Sequence, residues 1–353
     1  MPKPRLPRHK TDRRHRFSFP EGLIPVILIL LMACTKPRIY HQSKWMMGTV
    51  VEVTWVGSSP SPPAVKRAYQ TIRTIDALMS PNRPESDLYR LNTLAGRGFV
   101  TVSPLTCHVI RAGLQVWRET RGAFDISLWP LIHLWGFDTK TPHLPSLKSI
   151  QAALKKTGCD KIQCDMVTHR VRLARRGMGV DLGGIAKGFA VDRAVRTLRS
   201  GGIKNFIVNA GGDLYCAGRH VNRSWRIGIQ DPDHPHAVIA VLPLSNRAIA
   251  TSGDYENYFI KDKIRYHHIL NPATGFPARG LRSVSVLAPN TLMADALATA
   301  LFVMGRKKAI AWTKRHPVYA AVLVDSALGI WASASLKGLI KWKKRIRNNV
   351  KYF

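Results

Sequence analysis

The residues with the most chemistry to offer fall in three blocks. Between Ala248 and Pro277 the chain reads AIATSGDYENYFIKDKIRYHHILNPATGFP. A small polar turn, Thr251-Ser252-Gly253-Asp254, precedes the rings of Tyr255, Tyr258 and Phe259, and the tandem His267–His268 follows. The block closes on Asn271-Pro272-Ala273-Thr274-Gly275-Phe276-Pro277. Proline fixes φ and glycine accepts φ > 0, so this end reads as a tight, rigid turn. A histidine held against such a turn can serve as a general base or bind phosphate. Downstream, residues 291–304 suit a helix and carry Asp295 and Thr299 at i, i+4, which puts both oxygens on one face. Upstream, Asp181–Asp192 (DLGGIAKGFAVD) reads as a strand end, a glycine turn and a helix start. The free N–H groups there favour phosphate, although neither the P-loop nor the dinucleotide glycine spacing is met. A carboxylate and a hydroxyl on oxygen-rich ground suit Mg²⁺, which keeps few protein ligands. Taken alone, Asp295 and Thr299 also read as an ordinary helical pair, and the histidines as half-buried ones.

Seven blocks in order carry a resemblance. They are Met47-Gly48-Thr49; Met79-Ser80 with Ser86-Asp87-Leu88 and Asn92; Gly122-Ala123-Phe124-Asp125; Asp181–Asp192; Asn209–Asp213; the histidine block; and Ala294–Thr299. Over residues 45–335 the chain resembles the ApbE family of flavin transferases, which move FMN from FAD onto a threonine of a partner protein. The resemblance implies that Asp181 and Lys187 contact FAD, and that Met47, Ala123, Phe124, Asp125 and Ile269 face the flavin or adenosine. It implies a Mg²⁺ site from Asp295, Thr299 and the carbonyl of Gly184, with His268 as the catalytic histidine. Asp213 reads as securing a turn, and Thr251–Asp254 as lining the pocket. One departure stands out: Asn82 occupies the place where the family often has a tyrosine that packs on the nucleotide.

The implied reaction transfers FMN to a Thr or Ser hydroxyl of an exported redox protein and releases AMP. The acceptor is expected to carry a Ser/Thr-Gly-Ala-Ser/Thr stretch. Rival readings are an FAD pyrophosphatase, in which water attacks instead, and a non-catalytic FAD-binding lipoprotein or membrane-surface adaptor.

The elements that must position these groups are only partly periodic. Residues 48–56 read as a strand, Pro63–Met79 as a helix, Ser103-Pro104 as the start of a helix to about Thr120, and Ser146 as a cap for a helix to Lys156. Short strands are expected near 168–174 and a helix from Gly183 to Ser200. Apolar runs at 204–209, 225–230, 236–243, 246–251 and 282–288 predict a substantial sheet. Helices at 291–304 and 305–315 precede strands near 318–324 and 328–333. Strands and helices come in blocks, which predicts an α+β fold with mixed or antiparallel sheets flanked by helices.

Of the 353 residues, 45% are hydrophobic, enough for a sizeable core, and the formal net charge is +33. Seven Lys/Arg lie in residues 1–20 and seven in 336–353, and the rest are dispersed. That distribution, without aromatic-basic interleaving, argues against nucleic acid. After the basic arm, Leu23–Ala33 forms an apolar run of 11 residues. It is too short to span a bilayer, which needs about 20, but suits a signal peptide. Leu31-Met32-Ala33-Cys34 resembles a lipobox, so residues 1–33 are expected to be removed and Cys34 lipidated; an uncleaved signal anchor is the alternative. Either way the domain lies in the bacterial cell envelope, facing the periplasm and tethered to a membrane. Residues 35–44 read as a spacer. The basic tail 336–353 reads either as an amphipathic helix on anionic lipid or as a solvated, frayed end. Cys107, Cys159, Cys164 and Cys216 form no C-x-x-C pair. Cys159 and Cys164 either close a small loop or remain free thiols.

Overall fold

The computed structural model describes residues 38–139, 141–344 and 346–353. The expected signal peptide, Cys34 and the first residues of the expected spacer lie outside them. The helices are α1 (Pro63–Met79), α2 (Asp87–Thr93), α3 (Pro104–Glu119), α4 (Trp129–Trp135), α5 (Leu147–Leu154), α6 (Ala186–Ser200) and α7 (Thr291–Arg315). A nine-stranded sheet runs, in spatial order, Arg38–Met46, Thr49–Gly57, Phe206–Ala210, Asp213–Ala217, Arg247–Gly253, Leu281–Ala288, Ala320–Asp325, Ile330–Ala332 and Val350–Tyr352. Neighbours are antiparallel except the last pair, which is parallel. Two three-stranded sheets (Lys341–Trp342, His234–Leu244, Trp225–Asp231; and Phe99–Thr101, Arg170–Leu173, Ile162–Asp165) and the hairpin Tyr258–Lys261/Ile264–His267 complete the described strands. This is the α+β arrangement expected.

Alternation decides the faces. In Thr49–Gly57 the buried residues are Val51, Val53 and Trp55, one strand period apart. They face the principal core, which α1, α6 and α7 cover with Ile72, Ile75, Val191, Leu198, Leu297 and Phe302. A second cluster, around Trp225, Leu242, Val324 and Ile340, lies between the large sheet and the smaller one that contains residues 225–244. A third joins α4 and α5 to the histidine hairpin. Gly305 breaks α7 at φ +71°, matching the expected split at residues 304/305.

Two expectations about the chain ends do not hold. The supposed spacer is a strand from Arg38 onward, paired residue by residue with Thr49–Gly57. The basic tail forms no long helix: Lys341–Trp342 pairs with residues 240–241, and Val350–Tyr352 closes the large sheet. Leu336 and Ile340 are buried, so these apolar residues are retained by the second core rather than offered to lipid. Among the described residues no helix is long and apolar enough to cross a membrane.

Candidate active site

A cleft of about 620 Å³ is lined by Met47, Ala123, Phe124, Asp125, Asp181, Gly184, Lys187, His268, Ile269, Asp295 and Thr299. Although Asp254 does not, the expected catalytic, FAD-contacting and metal-ligating residues on the described chain therefore all reach one cavity. Its volume lies in the range of pockets that enclose a small ligand.

Residue 268 sits where two rigid pieces meet. Trp135, Phe137, Phe259, Tyr266 and Phe276 stack around one another, and the Trp135 indole N–H donates to the Gly275 carbonyl at 2.9 Å. Gly275, at φ +72°, also donates its N–H to the Asn271 carbonyl at 2.8 Å, and Ala273 N–H donates to Asn271 Oδ1 at 2.9 Å. The turn is as tight as its Pro and Gly content predicted. The two histidines on it divide their work. His267 is buried, with Nε2 2.8 Å from the Ala278 carbonyl and its ring edge-on to Phe302. Half-buried His268 lines the cleft, and its Nδ1 lies 3.2 Å from the Asn257 carbonyl. A ring nitrogen facing a carbonyl carries the proton, which leaves the Nε2 lone pair free. Burial lowers the His268 pKa to about 4, with Lys187 adding to the effect against the Asn257 carbonyl. The ring is neutral well below its ordinary value of about 6.5.

The helix crossing supplies the oxygen ligands. Asp192 on α6 accepts the N–H groups of Thr291 and Leu292 at 2.8 and 2.9 Å, and Asn290 accepts that of Met293 at 2.9 Å. Three orphan donors at the start of α7 are thus satisfied, two of them by a carboxylate. One turn further on, Asp295 Oδ2 accepts the Gly188 N–H at 2.9 Å. The approach leaves no room for a side chain: a Cβ on Gly188 would lie 2.3 Å from the Thr291 carbonyl oxygen. Thr299 Oγ1 lies 3.1 Å from Ser252 Oγ, and a Cβ on Gly184 would come within 3.3 Å of the same Thr299 oxygen. The three expected metal ligands are therefore neighbours.

Charge supports the same reading. Burial raises the Asp295 pKa, and Asp213 adds to it. Lys187 bonds Asp213 at 3.0 Å; burial opposes its charge, but Asp213 and Asp295 outweigh that and hold it protonated. One ammonium thus serves several buried carboxylates, and a cation beside Asp295 would relieve the excess. Oxygen donors, a buried carboxylate short of countercharge and a nearby carbonyl fit Mg²⁺.

Other positions proved more structural than their motifs suggested. Asp87 takes hydrogen bonds from Ser103 N–H (2.8 Å), Thr106 Oγ1 (2.7 Å) and Arg90 (2.6 Å), away from the cleft. Asn92 bonds both the N–H and the carbonyl of Val180, at 2.7 and 3.0 Å, and so fixes the segment before Asp181, which is loop rather than the expected strand end. Asp125 Oδ1 is occupied by Ser127 and the Cys159 thiol. Asp254 is turned to Arg265 and Arg282, although Thr251, Ser252 and Gly253 do line the cleft, as the end of a strand rather than a turn. Asn82 is exposed and outside the lining. Asp213 was missed as a cleft residue. The Gly211-Gly212 turn conceals it, but its carboxylate faces Lys187 across the cavity wall. Glu256 and Asn257, also lining, had no signal beyond their place before the histidines.

The model of the ApbE family matches residues 47–323. The chain belongs to the ApbE family. Among relatives, the FAD:protein FMN transferase of Treponema pallidum is 32% identical over 89% of this chain and 93% of its own length. That of Vibrio cholerae is 33% identical over 88% and 96%. The crystal structure of the ApbE protein from Thermotoga maritima superposes with a TM-score of 0.80 at 35% identity, covering 86% of this chain and 99% of that one. The flavin transferase ApbE from Vibrio cholerae gives 0.78 at 29% identity, over 86% and 100%. The ApbE reading of the sequence thus agrees with family, relatives and fold alike.

Proposed function

We propose that this chain is an FAD:protein FMN transferase that moves FMN from FAD onto a Thr or Ser hydroxyl of another protein and releases AMP. The observation that carries it is the convergence of a neutral His268 with the Gly184, Asp295 and Thr299 oxygens in one cleft. His268 Nε2 takes the proton of the acceptor hydroxyl. The hydroxyl oxygen then bonds to the FMN-side phosphorus as the bond from that phosphorus to the bridging oxygen breaks. FMN stays joined to the protein through a phosphoester. Asn257 holds the His268 tautomer, and Asp213 keeps the Lys187 ammonium charged and fixed in the cleft wall. Asp295, Thr299 and the Gly184 carbonyl would hold Mg²⁺, which when bound offsets charge on the pyrophosphate.

The test mixes purified protein, FAD and Mg²⁺ with and without an exported redox protein bearing a Ser/Thr-Gly-Ala-Ser/Thr stretch. AMP release together with in-gel flavin fluorescence on the acceptor supports transfer. AMP with every candidate acceptor but no label on any would make the chain an FAD pyrophosphatase. Full activity in excess chelator would remove the metal from the scheme.

The location proposed is the periplasmic face of a membrane, reached through cleavage before Cys34 and its lipidation. Its support is the short apolar run and the Leu31–Cys34 junction. Cys34→Ala should leave the precursor unprocessed or released from membranes. A mature protein whose intact mass retains residues 1–33 unmodified would overturn this.

A further inference from the structure

Four cysteines lie in the described residues, all as thiols. The pairing suggested by spacing, Cys159 with Cys164, is not the one the fold favours. The Cys159 thiol is taken by Asp125 Oδ1 at 3.1 Å, and burial pushes its pKa well up. Cys164, on the strand Ile162–Asp165, lies instead against Cys107 in the first turn of α3. Their sulfurs are 3.0 Å apart across 57 residues of sequence. We propose that Cys107 and Cys164 form a disulfide, closed by exchange with an external disulfide, which clasps α3 to that strand. The bond needs roughly 1 Å of approach to reach the usual S–S length of about 2.05 Å.

The location explains what the bond would do. The covalent ring encloses residues 107–164, which include the cleft strip Ala123–Asp125 and helices α4 and α5 behind His268. The strand carrying Cys164 is the edge of a small three-stranded sheet and packs against α3 through Ile162 and Cys164 without a covalent tie. Joining it to α3 shortens the denatured chain's effective length and anchors one cleft wall. Neither sulfur lines the cleft, so the reaction itself is untouched.

Exchange has a defined order. Cys164 is partly exposed and Cys107 fully buried, so Cys164 meets the external disulfide first. Its thiolate attacks one sulfur and expels the other as a thiolate, giving a mixed disulfide. The Cys107 thiolate then attacks Cys164 Sγ and expels the second external thiolate. Both cysteine protons end on the departing thiols, and the external disulfide is the oxidant. Burial first, then Cys107, pushes the Cys164 thiol up to about 12, against a smaller opposing effect of Arg111. Closure should therefore quicken as pH rises from 7 to 9.

The inference rests on the exported location only for where the oxidant is met, and the test separates the two. The reduced full chain is held in oxidised glutathione at pH 8, alkylated, and digested without reductant. A linked peptide pair carrying Cys107 and Cys164, with Cys159 and Cys216 alkylated, is the expected result. Cys107→Ser should stop at one glutathionyl group on Cys164, whereas Cys164→Ser should leave Cys107 unmodified. The oxidised chain should melt several degrees above the reduced one and transfer FMN within about twofold of its rate. Both thiols still alkylatable, or Cys164 linked to Cys159, would overturn the pair. Thiols trapped in intact cells then report on location: a linked pair supports export. Free thiols in a chain that links readily with glutathione count against export, not against the pair.

Discussion

At the residue scale, adjacent histidines differ because the strand turns one inward and the other to the cleft. His267 spends Nε2 on a core carbonyl, and only His268 keeps a free nitrogen in the cavity. His268→Ala should slow transfer roughly 10²–10⁴-fold, the usual size of a general-base contribution, with FAD binding retained. The pH dependence follows from the sign of its shift. With the folded pKa lowered to about 4, the base is neutral above that value and lost only as pH falls through it. At saturating FAD and metal the rate should hold through pH 6.5 and fall toward 4. An acid limb at 6.5 that disappears in His268→Gln would contradict this environment. Met47 offers a second test. It sits at φ +53° in the two-residue turn joining Met46 to Thr49, a conformation that costs a non-glycine residue about 1–2 kcal/mol. Strain kept by a residue lining the cleft points to contact with the ligand. Met47→Gly should raise the KM for FAD severalfold without lowering the melting temperature; an unchanged KM would make Met47 packing only.

At the element scale, the site depends on how closely α6 crosses α7. Asp192 and Gly188 lie one turn apart on α6 and address the start of α7 and Asp295 respectively. Gly188→Ala must push the helices apart, so it should cost about 1–3 kcal/mol, as overpacking does, and raise the Mg²⁺ needed for half-maximal AMP release. A variant that melts normally with unaltered metal demand would refute the crossing's role. The chain announced this element well: DLGGIAKGFAVD placed its glycines, and the i, i+4 pair placed Asp295 and Thr299. It hid Asp213, because a Gly-Gly hairpin explains that residue locally and its partner Lys187 comes from another element. It also misrepresented residues 38–44 and the tail, where charges mask the alternating apolar residues. Ile340 and Leu336 reveal the tail's real role, and Phe353 N–H donates to the Ala332 carbonyl at 3.0 Å. Deleting residues 337–353 should therefore cost at least about 2 kcal/mol, the value of burying one large aliphatic side chain, read as a lower denaturation midpoint.

At the scale of the molecule, strand order was beyond the sequence. Many strand runs were visible, but Arg38–Met46, Asp213–Ala217 and the hairpin Tyr258–Lys261/Ile264–His267 were not, and the pairing of Thr49–Gly57 with Phe206–Ala210 joins segments about 150 residues apart that no local signal connects. What the sequence did show plainly is charge. Of the formal +33, residues 1–33 account for +5 (seven Lys/Arg against Asp12 and Glu21), so +28 stays with residues 34–353, and such a positive field draws in an acidic partner and repels a basic one. Screening shortens the reach of that field from about 30 Å at 0.01 M salt to about 8 Å at 0.15 M. The acceptor's kcat/KM, measured at saturating FAD and metal, should therefore fall tenfold or more between about 0.02 and 0.3 M salt when the acceptor is acidic. FAD is itself anionic, which is why it must be saturating. Transfer at saturating acceptor should change little, because the chemistry occurs inside a cleft that salt screens far less. The control is a charge-neutralised acceptor with the same target threonine, which should lose most of the salt dependence. An acidic acceptor whose kcat/KM is flat with salt would show that the basic surface does not guide the encounter.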